Sequence, residues 1–117
     1  MKELIAIIRP GKTKLTKQKL AEQGIVSCTQ ERVSGRGKQK GLRYQGTTAS
    51  NLSGEVRISF LSKSMLTIFL NDDGVEKAVA AILEVNKTGD IGDGKIFICP
   101  LEETIRIRTD EKAHAAL

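Results

Sequence analysis

The stretch TGDIGDGKIFIC, residues 88–99, carries the reading of the fold. Gly89, Gly92 and Gly94 stand with Asp90, Asp93 and Lys95 in seven residues, and the apolar run Ile96-Phe97-Ile98-Cys99 follows at once. A glycine-dense loop lets backbone N–H groups approach an anion, because no Cβ intervenes. Lys95 adds a point charge suited to phosphate. The alternative is a plain glycine turn between a helix and a strand, and the loop alone does not decide between them.

Gly89 to Lys95 satisfies G-x-x-x-x-G-K, most of the phosphate-loop pattern. Ile96 then stands where that pattern needs Ser or Thr for magnesium. The order of elements also differs: a phosphate loop runs strand, loop, helix, whereas here a helical pattern precedes and a strand pattern follows. The NTPase reading is rejected and the anion cradle is kept.

Working outward, Leu4–Ile8 reads as a buried strand closed by Arg9-Pro10-Gly11. Thr13 is placed as the N-cap of a basic helix that ends at Gly24. Ile25–Val33 reads as a second strand. Residues 34–54 show no period and read as a long polar loop, a feature usually functional in a compact domain. Glu55–Leu61 and Met65–Leu70 read as strands. Asn71 or Asp72 caps a helix whose buried stripe is Val75, Val79, Ile82 and Leu83. Residues 96–99 form the next strand, and Thr104–Arg108 alternates, which would set Arg106 and Arg108 on one face. The order is strand, helix, strand, long loop, strand, helix, strand. That predicts an α+β, ferredoxin-like βαββαβ fold with one antiparallel sheet and helices on one face. Two helices leave the other face bare, so oligomerisation through it is expected.

The 117 residues suffice for one core. No apolar run approaches the ~18–20 residues that span a bilayer. Met1-Lys2-Glu3 leads straight into a strand rather than a signal peptide, so a cytoplasmic protein is expected. Cys28 and Cys99 are far apart without a C-x-x-C, and His114 is the single histidine. A zinc site is therefore nearly excluded, and buried, inert thiols are favoured over a Cys–His nucleophile. The net charge of +5 admits an anionic partner. Aromatics are only 3%: Tyr44, Phe60, Phe69 and Phe97. Nucleic acid is disfavoured on that count, since single-strand modules stack bases on aromatic rings.

Three motifs, GRGKQKGL (35–42), TGDIGDGKIF (88–97) and IRIRT (105–109), together resemble the PII nitrogen-regulatory signal-transduction family over essentially the whole chain. The resemblance implies a single PII-type domain over 1–117 with a long T-loop at about 37–60, and a trimer. It implies ATP or ADP bound between subunits, and 2-oxoglutarate beside Mg2+ and ATP, all as effectors. Thr29, Gly35, Gly37, Lys38, Gln39, Gly92, Asp93, Gly94 and Lys95 would meet the nucleotide. Arg106 and Arg108 would reach it from a neighbouring subunit. Gln39, Lys40 and Lys63 would hold 2-oxoglutarate, with Gln39 also on the metal, and no residue would be catalytic.

The implied role is a non-enzymatic nitrogen, carbon and energy sensor, with slow ATP hydrolysis at most a side activity. Its T-loop would meet a target of nitrogen metabolism: dinitrogenase, an ammonium channel or glutamine synthetase. The assembly would be a homotrimer or a mixed oligomer with a sister PII subunit. Neither nucleic acid nor membrane insertion is expected. The single tyrosine, Tyr44, lies near the base of that loop rather than its tip, which argues against uridylylation; Ser50 is a generic loop serine. The motif GRGKQKGL, the longer loop and VNKTG…IFICPLEETIRIRT are similar to the nitrogenase-associated branch.

Overall fold

The structure, a computed structural model, describes residues 1–38, 42–45, 55–58 and 60–117. The described residues form six strands: β1 (Lys2–Ile8), β2 (Thr29–Gly35), β3 (Leu42–Gln45), β4 (Glu55–Ile58), β5 (Leu61–Leu70) and β6 (Lys95–Pro100). Helix α1 is Thr13–Glu22 and α2 is Val75–Asn86. The main sheet has the order β2-β5-β1-β6, and its three pairings are antiparallel. This is the α+β, ferredoxin-like arrangement expected, with the apolar strands β1 and β5 at the centre.

Alternation along β1 and β5 sets the two faces. Leu4, Ala6, Ile8, Leu66, Ile68 and Leu70 point to the helix side and are buried with Leu20, Ala78, Ala81 and Ile82. Each fully buried Leu or Ile contributes about 1.5–3 kcal/mol from its removal from water. Ile5, Ile7, Met65, Phe69 and Phe97 take the opposite parity, and among the described residues no helix covers that face. Phe69 is 46% and Phe97 48% exposed.

Helix α1 closes in a Schellman motif. Gly24 adopts φ +79°, its N–H bonds Ala21 O at 2.9 Å, and Ile25 N–H bonds Leu20 O at 2.9 Å. Its start differs from expectation. A 3-10 turn over Pro10–Lys12 precedes it, the N-cap is Lys12, and Thr13 is buried as the first helical residue. The α2 stripe is also rotated. Ala78 and Ala81 are buried whereas Leu83 is 47% exposed, because small residues bring the helix close to the sheet.

Four further expectations need correction. Residues 34–54 are not without structure: β3 lies within them and pairs with β4 as Leu42↔Ile58 through Gln45↔Glu55. The run Glu55–Leu61 is split, with β4 in this second sheet and β5 beginning at Leu61 in the main one. Thr104–Arg108 is not a strand. Ile105 makes one isolated bridge to Lys112, and Arg106 N–H and Glu111 O close a turn at 2.9 Å in which Asp110 takes φ +59°. The alternation of isoleucine and arginine is thus bent around a tight turn. Cys28 is exposed outside any strand and Cys99 is half-buried, so neither is a buried core thiol.

Candidate functional site

The loop 88–94 is built on its glycines. Gly89, Gly92 and Gly94 take φ of +89°, +102° and +109°, a region that favours glycine. Gly94 is the most constrained: a Cβ there would lie 1.8 Å from the Ile7 carbonyl oxygen. Contact this close folds the loop over the end of β1, immediately before the Ile7↔Lys95 rung that starts β6.

Asp93 organises the interior of the loop. Its carboxylate accepts from Thr88 N–H at 2.7 Å, from Gly89 N–H at 2.9 Å and from the Thr88 hydroxyl. Arg9 Nη1 donates to it at 2.6 Å, and Arg9 Nη2 donates to Ile91 O at 3.0 Å. The Thr88 hydroxyl and then the Arg9 guanidinium hold the Asp93 carboxyl well below the usual carboxylate range. Lys63, half-buried on β5, donates to Gly92 O at 2.6 Å. Burial first, and the Arg9 charge second, push its ammonium pKa down, against the opposing pull of Asp93.

Four strand ends meet here. Gly35↔Leu61 and Val33↔Lys63 are the last rungs of β2 on β5, and Ile7↔Lys95 is the last of β1 on β6. Between them lies a cleft of about 350 Å³ with a mixed lining. Lys63, Lys95 and Arg36 supply charge, Gly35, Gly37, Gly92 and Gly94 supply bare backbone, and Ile7, Leu61, Ile91 and Phe97 form an apolar wall. Such a lining suits a ligand with an anionic end and a flat or apolar body. Glycine backbone beside two lysines fits a polyphosphate chain.

Six residues expected at the ligand site therefore share one cleft: Gly35, Gly37, Lys63, Gly92, Gly94 and Lys95. Asp93 belongs to the same loop, but its carboxylate faces Arg9 and the loop amides, as an internal anion should. Lys38 is exposed one residue beyond Gly37 and does not line the cleft. Thr29 lies four residues along β2 from Val33, about 13 Å of extended chain. Arg106 is engaged by Glu111 and by the carbonyls of Ala115 (3.0 Å) and Leu117 (3.3 Å), and Arg108 is exposed nearby. Neither arginine lines this cleft within one chain. Gln39 and Lys40 lie outside the described residues, as does Ser50. Among the described residues no group of three or more His, Cys, Asp or Glu gathers as a metal site would need.

Sequence reading missed Arg9 and Arg36. Arg9 follows a strand as part of an ordinary Arg-Pro-Gly stop, and only the β1–β6 register brings it to Asp93, 84 residues away.

Fold and site together define a ferredoxin-like protein with a basic, glycine-walled cleft at one end of its sheet. The family model "Nitrogen regulatory protein P-II" matches residues 1–111, and the chain belongs to that family. A "Nitrogen fixation nifHD region glnB-like protein 2" of Methanococcus maripaludis is 44% identical over 123 residues, covering all of both chains. A protein of the same description from Methanobacterium ivanovii is 41% identical over 121 residues, covering 100% of this chain and 99% of its own. A "Nitrogen regulatory protein P-II" of Nostoc punctiforme is 45% identical over 114 residues, 96% of each chain. The family is one of regulatory signalling proteins. Among the described residues no helix is long and apolar enough to cross a membrane.

Proposed function

We propose that this protein is a non-enzymatic, cytoplasmic sensor that binds ATP or ADP in the cleft at the strand ends. 2-Oxoglutarate joins the nucleotide there with Mg2+. The observation that carries this reading is the convergence of Gly35, Gly37, Lys63, Gly92, Gly94 and Lys95 on one cleft. Lys95 and the glycine backbone take the phosphates. Lys63 leaves the Gly92 carbonyl for a carboxylate of 2-oxoglutarate, a stronger partner because it is charged. Gln39 holds the metal, with Lys40 beside it. Three copies pack through the bare sheet face carrying Ile5, Ile7, Met65, Phe69 and Phe97, which brings Thr29, Arg106 and Arg108 of one copy toward the cleft of the next.

The chain between β2 and β5 begins at the cleft wall, at Gly35 and Gly37, and ends at it, at Leu61. Ligand binding therefore biases the conformers of that segment, which engages or releases a target. The two relatives named for the nitrogen-fixation nifHD region favour a target in nitrogen fixation. Calorimetry tests the reading: 2-oxoglutarate heats are expected only with Mg2+ and ATP present. Absence of ATP binding, or 2-oxoglutarate affinity unchanged in Lys63→Ala, refutes it. Pull-down of dinitrogenase against an ammonium channel or glutamine synthetase identifies the target.

A further inference from the structure

Arg36 lies in the cleft lining, between Gly35, the last residue of β2, and Gly37, and its guanidinium carbon sits 5.3 Å from the centroid of the Phe60 ring. Phe60 is 57% exposed and immediately precedes Leu61, the partner of Gly35 in the last rung of β2 on β5. The two side chains thus form the next rung beyond the sheet, made by a ring and a cation instead of backbone hydrogen bonds.

We propose that Arg36 is an additional phosphate-binding residue of the cleft, and that Phe60 is its positioning residue. This rests on the nucleotide-sensor reading above. A guanidinium that stacks on a ring uses its flat face and keeps its N–H edge for other partners. That edge presents a planar fork, the geometry that takes two phosphate oxygens at once. A free arginine loses much rotamer freedom when it grips a ligand. One already resting on a ring has lost part of that freedom beforehand. An exposed cation–π contact is weak, about 0.5–1 kcal/mol, so the ring guides the guanidinium without competing against a charged partner. Lys63 and Arg9 both donate to carbonyls of the glycine loop. Arg36 instead lies over a ring, a weaker partner than a carbonyl and more readily exchanged for a charged one. The same contact joins the two ends of the segment between β2 and β5. A phosphate that fixes Arg36 also fixes Phe60, and so narrows the neck of that segment.

The test is calorimetry with ATP, inorganic triphosphate and adenosine, each with Mg2+, on the full chain. Arg36→Gln is expected to weaken ATP and triphosphate by about the same factor, roughly tenfold for a lost charge-assisted pair, and to leave adenosine unchanged. Phe60→Ala is expected to lose about threefold, Phe60→Tyr to bind as the wild type, and Phe60→Ala in the Arg36→Gln background to cost nothing more. Arg36 and Phe60 are both exposed, so these variants keep the core. Equal weakening of adenosine and triphosphate, or losses that multiply in the double variant, would overturn the inference. A wild type that binds no ATP overturns the sensor reading itself. A wild type that binds ATP, loses it in Lys95→Ala and keeps it undiminished in Arg36→Gln overturns only the role of Arg36.

Discussion

Alanine substitution across the glycine loop should give a graded series set by what each new Cβ meets. Gly89 has φ +89° with open space around it, so Gly89→Ala bears only the backbone strain. For an L-residue at positive φ that is about 1–3 kcal/mol. Gly92 has φ +102°, and its Cβ would lie 3.1 Å from Arg9 Nη2, the far end of a flexible side chain that can withdraw. Gly94 is different in kind. With φ +109° its Cβ would stand 1.8 Å from the Ile7 carbonyl oxygen and 2.9 Å from its carbon. Strain is then joined by separation of the loop from β1 by about 1.5 Å, enough to break the terminal Ile7↔Lys95 rung, worth a further ~0.5–1.5 kcal/mol. Gly94→Ala should therefore cost about 1.5–4.5 kcal/mol, a large share of a typical domain stability of ~5–15 kcal/mol. The assay is guanidinium unfolding of the three variants at one protein concentration, with ATP calorimetry alongside. ATP affinity should fall most in Gly94→Ala, since that residue and Lys95 both line the cleft. A Gly94→Ala protein no less stable than Gly89→Ala would refute the claim that contact with β1 shapes the loop.

Asp93→Asn should lower stability at neutral pH, because the neutral amide gives Arg9, Thr88 and Gly89 a poorer acceptor. The folded carboxyl titrates below its unfolded value of about 3.9, so its contribution is complete above that pH and is lost as pH falls through the lower folded value; the gap between wild type and variant in urea midpoints should close in strong acid. A gap constant with pH would show that the charge is irrelevant. Thr16→Val should cost about 1–3 kcal/mol, since the buried hydroxyl bonds Lys12 O at 2.7 Å and receives Asn86 Nδ2 at 2.9 Å, tying α1 to α2; Thr16→Ser should restore most of it in thermal melts, and a neutral Thr16→Val would refute this. Under the proposed function, an anion beside Lys63 raises its lowered pKa, so binding takes up a proton and affinity should fall as alkaline pH passes the pKa of free Lys63. Calorimetric heats in buffers of different ionisation enthalpy read this uptake, and buffer-independent heats across the alkaline range would refute it.

The parts of the fold legible in sequence are those fixed by neighbours along the chain. β1 and β6 are apolar runs bounded by Pro or Gly, and the Gly24 stop needs only the helix before it. The glycine loop was legible for the same reason: its φ angles are local properties. Residues decided by partners far away were not. Helical spacing of the large apolar residues puts Leu83 on the buried stripe, yet Ala78 and Ala81 are the buried residues because close approach excludes larger side chains. Thr104–Arg108 has the composition of a strand but, among the described residues, pairs only through one bridge, and Glu111 draws Arg106 into a turn instead. Asp93 looked like part of a ligand's surroundings because it lies in the loop; only the sheet register shows that Arg9 waits beneath it. Of the pair β3–β4, β4 falls within the strand expected over Glu55–Leu61, whereas the four residues of β3 are too few for a period to emerge.

The internal bonding of the loop bears on which ligands the cleft favours. Lys63 and Arg9 donate to Gly92 O and Ile91 O, and Arg9 also pairs with Asp93. A cation already bonded to a carbonyl gains from a ligand only the difference between a charged acceptor and a neutral one. A single weak anion offers little of that difference. A polyphosphate offers it at several places at once, reaching Lys95, Lys63 and the glycine backbone from one molecule, so the gains accumulate while the cost of immobilising the ligand is met once. Each carbonyl released from a lysine must find another donor, and the carbonyls concerned sit between Gly89 and Gly94, where the backbone can turn to water. Asp93 takes Arg9 as a partner but makes no hydrogen bond to Lys63 or Lys95 among the described residues, because Arg9, the Thr88 amide and hydroxyl and the Gly89 amide hold it inward. The loop therefore divides its work: Asp93 and Gly94 fix its base on β1, and the backbone of Ile91 and Gly92 forms the part that can exchange partners when an anion arrives.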